Sequence, residues 1–239
     1  MSWHYWHKEV RWKMNSHLFH ERIIRILRDY NIVVNDYADI GCDGILTSLI
    51  ASTIEAEKVV GVDPSKRFLD LLVKNVRTHQ VEPIALDLDN DPLPLPENSF
   101  GLVTCLEIVE HLLNPDNVHK EAFRILKSGG YFLVAAPNLG SWYNRFLLLL
   151  GFQPVHTDIS GEYWAGLPAK MKQKASHHGH IAVHTYKGLI ELLKHHGFKI
   201  VAKRGFSFSY GYDSINFINR LFERTPSLAD GMLVLSQKP

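Results

Sequence analysis

The sequence contains little cysteine, no long apolar run and no excess of either charge. Its two cysteines, Cys42 and Cys105, both lie in apolar segments, which excludes a disulfide framework and suits a reducing compartment. The longest apolar run, residues 146–152, is far shorter than the roughly 20 residues that span a bilayer. Because residues 1–4 also lack the basic and then apolar order of a secretory signal, we expect a cytoplasmic protein without a transmembrane segment.

Opposite charges are nearly balanced, with 26 basic and 25 acidic side chains. Such a chain, which also lacks a basic run interleaved with aromatics, is not expected to bind nucleic acid strongly. Its 239 residues, 46% of them hydrophobic, are enough for one sizeable core. Composition therefore favours a globular protein with a small-molecule partner, and it carries no signal of the oligomeric state. The compositional oddity is histidine, with 14 residues clustered at 4–20 and 177–196.

Short apolar runs alternate with amphipathic stretches over much of the chain. Strands that alternate with helices in this way form right-handed crossovers, and their sheet is mainly parallel and covered on both faces. We therefore predict an α/β, doubly wound fold. The expected strands are residues 37–40, 59–62, 83–86, 102–106, 131–136, 198–203 and 232–235. The expected helices are residues 16–30, 45–55, 65–77, 116–126 and 139–150, and one from a Thr185 cap to His196.

The alternating pattern is clear in some parts of the chain and weak in others, and this difference divides the chain into an N-terminal segment, a main domain and an insert. Residues 1–35 are predicted to form an N-terminal helical cap or arm, because a start rich in aromatics and histidine leads into an amphipathic helix. Residues 36–239 are predicted to form the main domain. Within it, residues 139–184 are expected to be an insert or lid, since a long connection with little regular pattern is typically a functional lid or a disordered segment.

The first two predicted strands end in residues that suit a nucleoside. Asp39 ends the first strand, and the chain turns through Gly41 and Gly44 into a helix. Glycines let the backbone turn sharply, and a helix start offers free N–H groups. Asp63 ends the second strand about 20 residues after this turn, where a carboxylate can accept both hydroxyls of a ribose. The alternatives are that the glycines only form a turn between a strand and a helix, without binding a ligand, and that Asp63 only starts the next helix.

Segments later in the chain indicate which nucleoside-containing ligand the site would bind. They are Asp87–Asp91, Pro92–Phe100, Glu107–Leu112, Phe123–Asn138 and, more weakly, His184–Tyr186 with Gly197 and Phe198. With these segments, residues 36–138 strongly resemble the class I S-adenosylmethionine-dependent methyltransferases. The resemblance implies a doubly wound, mainly parallel seven-stranded sheet with helices on both faces and an antiparallel last strand. It also implies an enzyme of the EC 2.1.1 type that uses S-adenosylmethionine, with residues 36–239 as the methyltransferase-like domain and residues 139–184 on the acceptor side.

The resemblance assigns the methionine and ribose ends of the cofactor to the first two strands. Asp39, Gly41 and Gly44 would hold the methionine end, and Asp63 would hold the ribose. The glycine loop is one residue shorter than is usual in the family. Asp43 consequently stands where a small residue is expected, which places the loop geometry and the affinity for the cofactor in question.

The resemblance assigns the adenine to the third and fourth strands. Leu88, together with either Asp87 or Asp89, would face the adenine, and the carboxylate would accept from its amino group. Leu106 and Glu107 would line the opposite wall. The spacing to the following Leu-Pro pair fits either aspartate, so both stay candidates.

A sulfonium methyl group is already activated, so the protein mainly has to align the acceptor with the cofactor and exclude water. For a hydroxyl acceptor, histidine is the side chain best suited as a general base near pH 7. Alternatively, a histidine beside the site buttresses the cofactor loop, or the histidines at 177–180 belong to a solvated loop. The candidate bases are His111, His180 and His184, together with His177 and His178.

Glu107, Glu110 and His111 have the i, i+3, i+4 spacing that places side chains on one face of a helix. Some similar methyltransferases bind a metal through this arrangement, and many others carry it without one. The primary expectation is therefore no metal. The weaker alternative is Mg²⁺, which oxygen-rich ligands favour over Zn²⁺.

Three hypotheses for the whole protein follow. The leading one is a methyltransferase that acts on an oxygen of a small molecule. The shortened glycine loop keeps open a cofactor-binding protein of the same fold without turnover. The third is an NAD(P)-dependent oxidoreductase, and the absence of a full G-x-G-x-x-G pattern argues against it.

Overall fold

The computed structural model describes residues 16–160, 162–169, 179–208 and 213–239. Residues 1–15 of the predicted arm and the candidate bases His177 and His178 lie outside the described residues. The helices are α1 (Ser16–Asp29), α2 (Ile45–Thr53), α3 (Lys66–Asn75), α4 (Pro115–Ile125), α5 (Trp142–Leu149), α6 (Tyr186–His195) and α7 (Asp213–Phe222). The strands are β1 (Asp36–Ile40), β2 (Lys58–Val62), β3 (Gln80–Ile84), β4 (Phe100–Leu106), β5 (Leu126–Pro137), β6 (Lys199–Phe206) and β7 (Gly231–Gln237).

The strands form one seven-stranded sheet in the order β3-β2-β1-β4-β5-β7-β6. Strands β1 to β5 pair in parallel with their neighbours, and β7 runs antiparallel to both β5 and β6. The predicted doubly wound sheet with an antiparallel last strand is confirmed. The chain order reverses between β1 and β4, so the switch point, where such sheets bind ligands, lies beyond the carboxyl ends of these two strands.

Two buried apolar layers lie on the two faces of the sheet. Neighbouring residues of β1 separate, with Tyr37 in one layer and Ala38 in the other, because successive side chains of a strand point to opposite faces. The Tyr37 layer includes residues of α1, α2 and α3. The Ala38 layer includes residues of α4 and α6. Helices therefore cover both faces, and the N-terminal helix α1 packs into the same core as the sheet.

The structure corrects two predicted elements and adds a helix. Strand β3 is Gln80–Ile84 rather than residues 83–86, because its ladder with β2 begins where Gln80 pairs with Lys58. This edge strand is only partly buried, so a run of apolar residues did not predict its bounds correctly. As an edge strand it also tolerates Pro83. Helix α5 begins at Trp142 rather than at 139. Helix α7 was not predicted.

Both cysteines are buried free thiols, as the sequence led us to expect. Within the described ranges, no helix combines the length and the apolar character needed to cross a membrane.

His119 of α4 is a buried histidine behind the sheet. Its side chain is fully buried, its Nδ1 lies 2.7 Å from the Pro115 carbonyl oxygen, and its ring stacks on that of His196 with centroids 5.6 Å apart. Burial lowers the pKa of His119 to about 4, and it also lowers the pKa of His184. The folded protein therefore holds His119 neutral.

We predict that acidification from pH 7.5 to 5.0 destabilises the fold. His119 takes up a proton in the unfolded chain near pH 6.5 but not in the folded protein above about pH 4. Its contribution to stability is complete above pH 6.5 and falls by about 2 kcal/mol by pH 5. Urea denaturation at both pH values measures this loss. In His119→Gln the loss should be smaller, and an equal loss in both proteins would contradict the assignment.

Candidate active site

Asp39 of the predicted cofactor site connects three elements of the fold. It is buried at the end of β1, and its two carboxylate oxygens accept hydrogen bonds from the hydroxyls of Thr47 and Thr104, each at 2.6 Å. Since the Thr104 proton goes to Asp39, the hydroxyl of Tyr37 must donate to Thr104 Oγ1, at 2.8 Å. Burial, and then the nearby Asp39, raises the pKa of Tyr37, which keeps this donor protonated. Asp39 thus joins β1, β4 and α2 at the switch point.

The two glycines of the loop allow contacts that no side chain would. Gly41 has φ +78° and Gly44 has φ +77°, in the left-handed region that favours glycine. A Cβ on Gly41 would lie 2.3 Å from side-chain carbons of Ile108, and one on Gly44 would lie 2.5 Å from the backbone of Leu71 and Leu72. The turn therefore packs directly against the segment after β4 on one side and against α3 on the other.

Asp43 occupies the position where a small residue was expected. Its Oδ1 accepts hydrogen bonds from the backbone N–H groups of Ile45 at 2.9 Å and Leu46 at 2.8 Å. This is the contact of a helix-capping carboxylate, and it is favourable at the positive end of α2. The shortened loop is therefore accommodated by turning the Asp43 side chain onto the first turn of α2.

Asp63 lies beside this loop. Strands β1 and β2 end in register, with Ile40 opposite Val62, and the Gly41 N–H donates to the Val62 carbonyl oxygen at 2.7 Å. Asp63 is 1% exposed, and its Oδ1 accepts from the Ser65 N–H at 2.7 Å. The structure therefore brings Asp39, Gly41 and Asp63 to one edge of the sheet, as the strand pattern predicted.

Residues 87–89, which contain the two candidate adenine contacts, are hydrogen-bonded to the start of α4. Leu88 and Asp89 are buried, and Asp89 Oδ1 accepts from the Asn114 N–H at 3.0 Å. Asp87 is exposed, and its carboxylate accepts from the Asp89 N–H at 3.0 Å and from the Asn90 amide at 3.2 Å. The two aspartates therefore differ in role, since Asp89 braces α4 and Asp87 shapes its own turn.

The chain after β4 does not form the helix that the spacing of Glu107, Glu110 and His111 suggested. Leu106 is buried at the end of β4, Glu107 has φ +58°, and only Val109–His111 form a short 3-10 helix. The expectation that the three side chains share one face of an α-helix is therefore wrong, because the backbone reverses its handedness at Glu107.

A different set of three side chains comes together instead, namely Glu110, His111 and His180. One potential ligand atom from each lies within 4.8 Å of the others, and His111 Nε2 is 3.8 Å from Glu110 Oε1. Glu110 is 1% exposed, and the two imidazole rings meet edge to face with centroids 4.8 Å apart. We call these three residues the Glu-His-His cluster. Candidate bases separated by 69 positions in the sequence thus become neighbours.

Backbone contacts hold the end of the insert against the 3-10 helix. The N–H groups of Ile181 and Ala182 donate to the Glu110 carbonyl oxygen at 2.7 and 2.9 Å. Asp158 Oδ2 accepts from the Gly179 N–H at 2.6 Å. The His180 side chain is therefore placed by two separate parts of the chain.

The third candidate base, His184, lies outside the cluster. It is largely buried, and burial lowers its pKa. Its backbone carbonyl accepts from the Leu139 N–H at 2.9 Å, and its charge would act on His119. His184 therefore interacts electrostatically with His119, the buried histidine of α4.

Sequence reasoning did not connect three residues that lie next to the cluster. His156, Tyr143 and Asp230 lie together, and the His156 carbonyl oxygen is 2.9 Å from His180 Nδ1. His156 lies in the loop after α5, Tyr143 lies in α5, and Asp230 lies immediately before β7. No local pattern could have linked them, because they are separated by up to 87 residues.

Comparison with known proteins matches the part of the chain that contains the expected cofactor residues, together with Glu110 and His111. Residues 38–134 match the family model described as a methyltransferase domain. The expected resemblance to class I S-adenosylmethionine-dependent methyltransferases is confirmed for this part of the chain.

Two curated relatives and one solved structure show the extent of the similarity. A probable S-adenosylmethionine-dependent methyltransferase of Mycolicibacterium smegmatis is 33% identical over 104 residues, which cover 43% of this chain and 38% of that protein. A ubiquinone biosynthesis O-methyltransferase of Idiomarina loihiensis is 34% identical over 114 residues, 44% of each chain. The structure of an S-adenosylmethionine-dependent methyltransferase from Mesorhizobium loti has a TM-score of 0.60 at 18% identity and covers 89% of this chain and 96% of its own.

The match spans less than half the length of these two curated relatives. The solved structure supports the fold over nearly the whole chain.

We predict that Asp43→Ala lowers stability by about 1 kcal/mol, because it removes the cap of α2. Affinity for S-adenosylmethionine should stay within a factor of about two, since the carboxylate points onto the helix. Denaturation and calorimetry measure the two quantities. Ser65→Ala at the start of α3 is the matched control, because Ser65 makes no side-chain cap hydrogen bond. Markedly tighter binding by Asp43→Ala would show instead that the carboxylate obstructs the site.

Proposed function

We propose that this protein transfers a methyl group from S-adenosylmethionine to an oxygen atom of a small-molecule acceptor. The observation that carries the proposal is the contact between Gly41 and Ile108. Ile108 is two residues before Glu110, so this contact supports a methionine end of the cofactor close to the Glu-His-His cluster. Several matched relatives are named ubiquinone biosynthesis O-methyltransferases, which supports oxygen as the acceptor atom.

The residues at the carboxyl edge of the sheet fit this cofactor. A carboxylate can accept about four hydrogen bonds, and the Ser65 N–H provides one to Asp63, so Asp63 can also accept from ribose hydroxyls. Asp39, Asp43 and Asp63 place negative charge near a ligand that carries a sulfonium cation. The segment with Asp87, Leu88 and Asp89 would meet the adenine, and Leu106 with Glu107 would form the opposite wall.

The hydrogen bonds of the two histidines define how they would act. A backbone carbonyl can only accept, so His111 Nδ1, 3.2 Å from the Gly179 oxygen, and His180 Nδ1, 2.9 Å from the His156 oxygen, both carry protons. In a neutral ring this leaves Nε2 as the basic nitrogen. Nε2 can then take the proton of an acceptor hydroxyl, and the buried Glu110 carboxylate stabilises the imidazolium that results.

S-adenosylmethionine supplies the electrophilic methyl group. The chain has to hold the acceptor oxygen in line with it, remove the hydroxyl proton and exclude water. Near the end of the insert, Ile181 and Ala182 are bonded to the 3-10 helix, and a segment in this position suits the last of these tasks.

A bound divalent cation is a second way for the same cluster to activate an acceptor oxygen. It is favoured by the convergence of the three side-chain ligand atoms. Two imidazoles and one carboxylate are less oxygen-rich than the Glu107, Glu110 and His111 set on which Mg²⁺ was expected. Such a mixed nitrogen and oxygen set suits Zn²⁺ or Mn²⁺ better than Mg²⁺.

We predict that Asp63→Ala abolishes detectable binding of S-adenosylmethionine while the circular dichroism spectrum and melting behaviour stay native-like. The reason is the loss of the proposed ribose acceptor. Isothermal calorimetry with S-adenosylhomocysteine measures the effect. Asp70→Ala, on the exposed face of α3, is the control and should bind normally. Unchanged affinity in Asp63→Ala would remove the ribose assignment, and binding of NAD(P) in place of S-adenosylhomocysteine would favour the oxidoreductase.

We predict that His111→Ala and His180→Ala each reduce kcat for methyl transfer by about 100-fold, the order of a general base, with cofactor affinity retained. His195→Ala, at an exposed position of α6, should behave as wild type. The assay measures transfer of labelled methyl groups to a panel of phenolic and sugar hydroxyls. Cofactor binding without transfer to any member of the panel would favour the binding protein without turnover.

The same assay after dialysis against EDTA separates the two forms of the mechanism. Activity that survives the treatment favours the histidine base. Activity that disappears and returns with Zn²⁺ or Mn²⁺ favours the cation.

A further inference from the structure

A buried carboxylate, that of Asp230, is linked to the Glu-His-His cluster through His156. Asp230 is fully buried immediately before β7, and an isolated charge at such a place is costly unless donors surround it. Its Oδ1 accepts from the hydroxyl of Tyr143, and its Oδ2 accepts from the Phe208 N–H at 2.9 Å. Donors from α5 and from the segment after β6 thus compensate one carboxylate.

His156 connects this carboxylate to the cluster. Its Nε2 is 3.3 Å from Asp230 Oδ1 and 3.2 Å from the Tyr143 oxygen. Because the Tyr143 proton goes to Asp230, both of these oxygens are acceptors toward His156, so its Nε2 carries a proton. The ring is thereby anchored through its Nε2 by Asp230 and Tyr143.

The backbone of the same residue reaches His180. His156 has φ +73°, a left-handed conformation that a residue other than glycine adopts only where its surroundings require it. In this conformation its carbonyl oxygen lies 2.9 Å from His180 Nδ1, and the two rings have centroids 5.9 Å apart. One residue therefore bonds Asp230 and Tyr143 through its ring and His180 through its backbone.

We propose that Asp230, Tyr143 and His156 are positioning residues that hold His180 in the form protonated at Nδ1, which leaves Nε2 as the nitrogen that acts in the cluster. None of the three touches the acceptor in this scheme. They act through His180, in the way that hydrogen-bond partners behind a functional histidine select its tautomer and orientation. The inference rests on the proposed function for its effect on catalysis, but the tautomer itself is measurable without any turnover.

His156→Gly and Asp230→Asn test the proposal. Glycine accepts φ +73° without strain and retains the carbonyl, so His156→Gly should fold while losing the ring that anchors this carbonyl. We expect kcat to fall by about 10- to 100-fold, the range for partners behind a functional histidine, with cofactor affinity unchanged. In ¹⁵N-detected NMR, His180 should be protonated at Nδ1 in the wild type and should populate both tautomers in the variants.

Glu55→Gly is the matched control, because Glu55 is an exposed residue with φ +58° in the turn that leads into β2. It should retain the wild-type kcat and the wild-type His180 spectrum. If Asp230→Asn does not fold, His156→Gly decides alone.

A His180 spectrum in His156→Gly identical to that of the wild type would overturn the inference, as would a wild-type kcat. A spectrum that changes as expected in a protein that transfers no methyl group would leave the positioning intact and reject the proposed function instead. The two failures are therefore distinguishable.

Discussion

The buried carboxylate of Asp39 is the interaction on which the rest of the site depends. It accepts one hydroxyl from α2 and one from β4, and it does so at the point where the chain leaves the sheet toward opposite faces. In this apolar surrounding each of these bonds is stronger than it would be in water, and leaving a partner unsatisfied would be costly. Because β1, β4 and α2 are held together here, the turn at Gly41 can pack against Ile108.

A second constraint is the concentration of acidic side chains at this edge. Asp39, Asp43, Asp63 and Asp89 all lie near the carboxyl ends of neighbouring strands, where their mutual repulsion would disfavour folding. Each of them accepts at least one hydrogen bond from a hydroxyl or a backbone N–H. Local donors thus stabilise a negative edge in the folded protein, and such an edge complements a cationic cofactor.

The region proposed as the acceptor side is built differently. There the parts come from the 3-10 helix, from the loop after α5 and from the end of the insert, and they are joined mainly by side-chain to backbone contacts such as that between His180 and His156. A sheet edge suits a cofactor of constant shape, because register sets its geometry. A surface assembled from loops can change with the acceptor while the sheet stays the same.

The amino-acid sequence by itself determined the parallel sheet, the glycine turn and the positions of Asp39 and Asp63, because these depend on apolar periodicity and on residues that directly follow a strand. Even there it misjudged β3, whose exposed edge weakens the apolar signal, and the role of Asp43, whose carboxylate turned out to cap α2. Tertiary structure alone decided that Glu107 departs from helical geometry. It also decided that His111 contacts His180 rather than His184, and that Asp230 is linked to His180 through His156. The physical reason is that such contacts join side chains far apart in the chain, and their geometry arises only when the loops that carry them pack against the finished sheet.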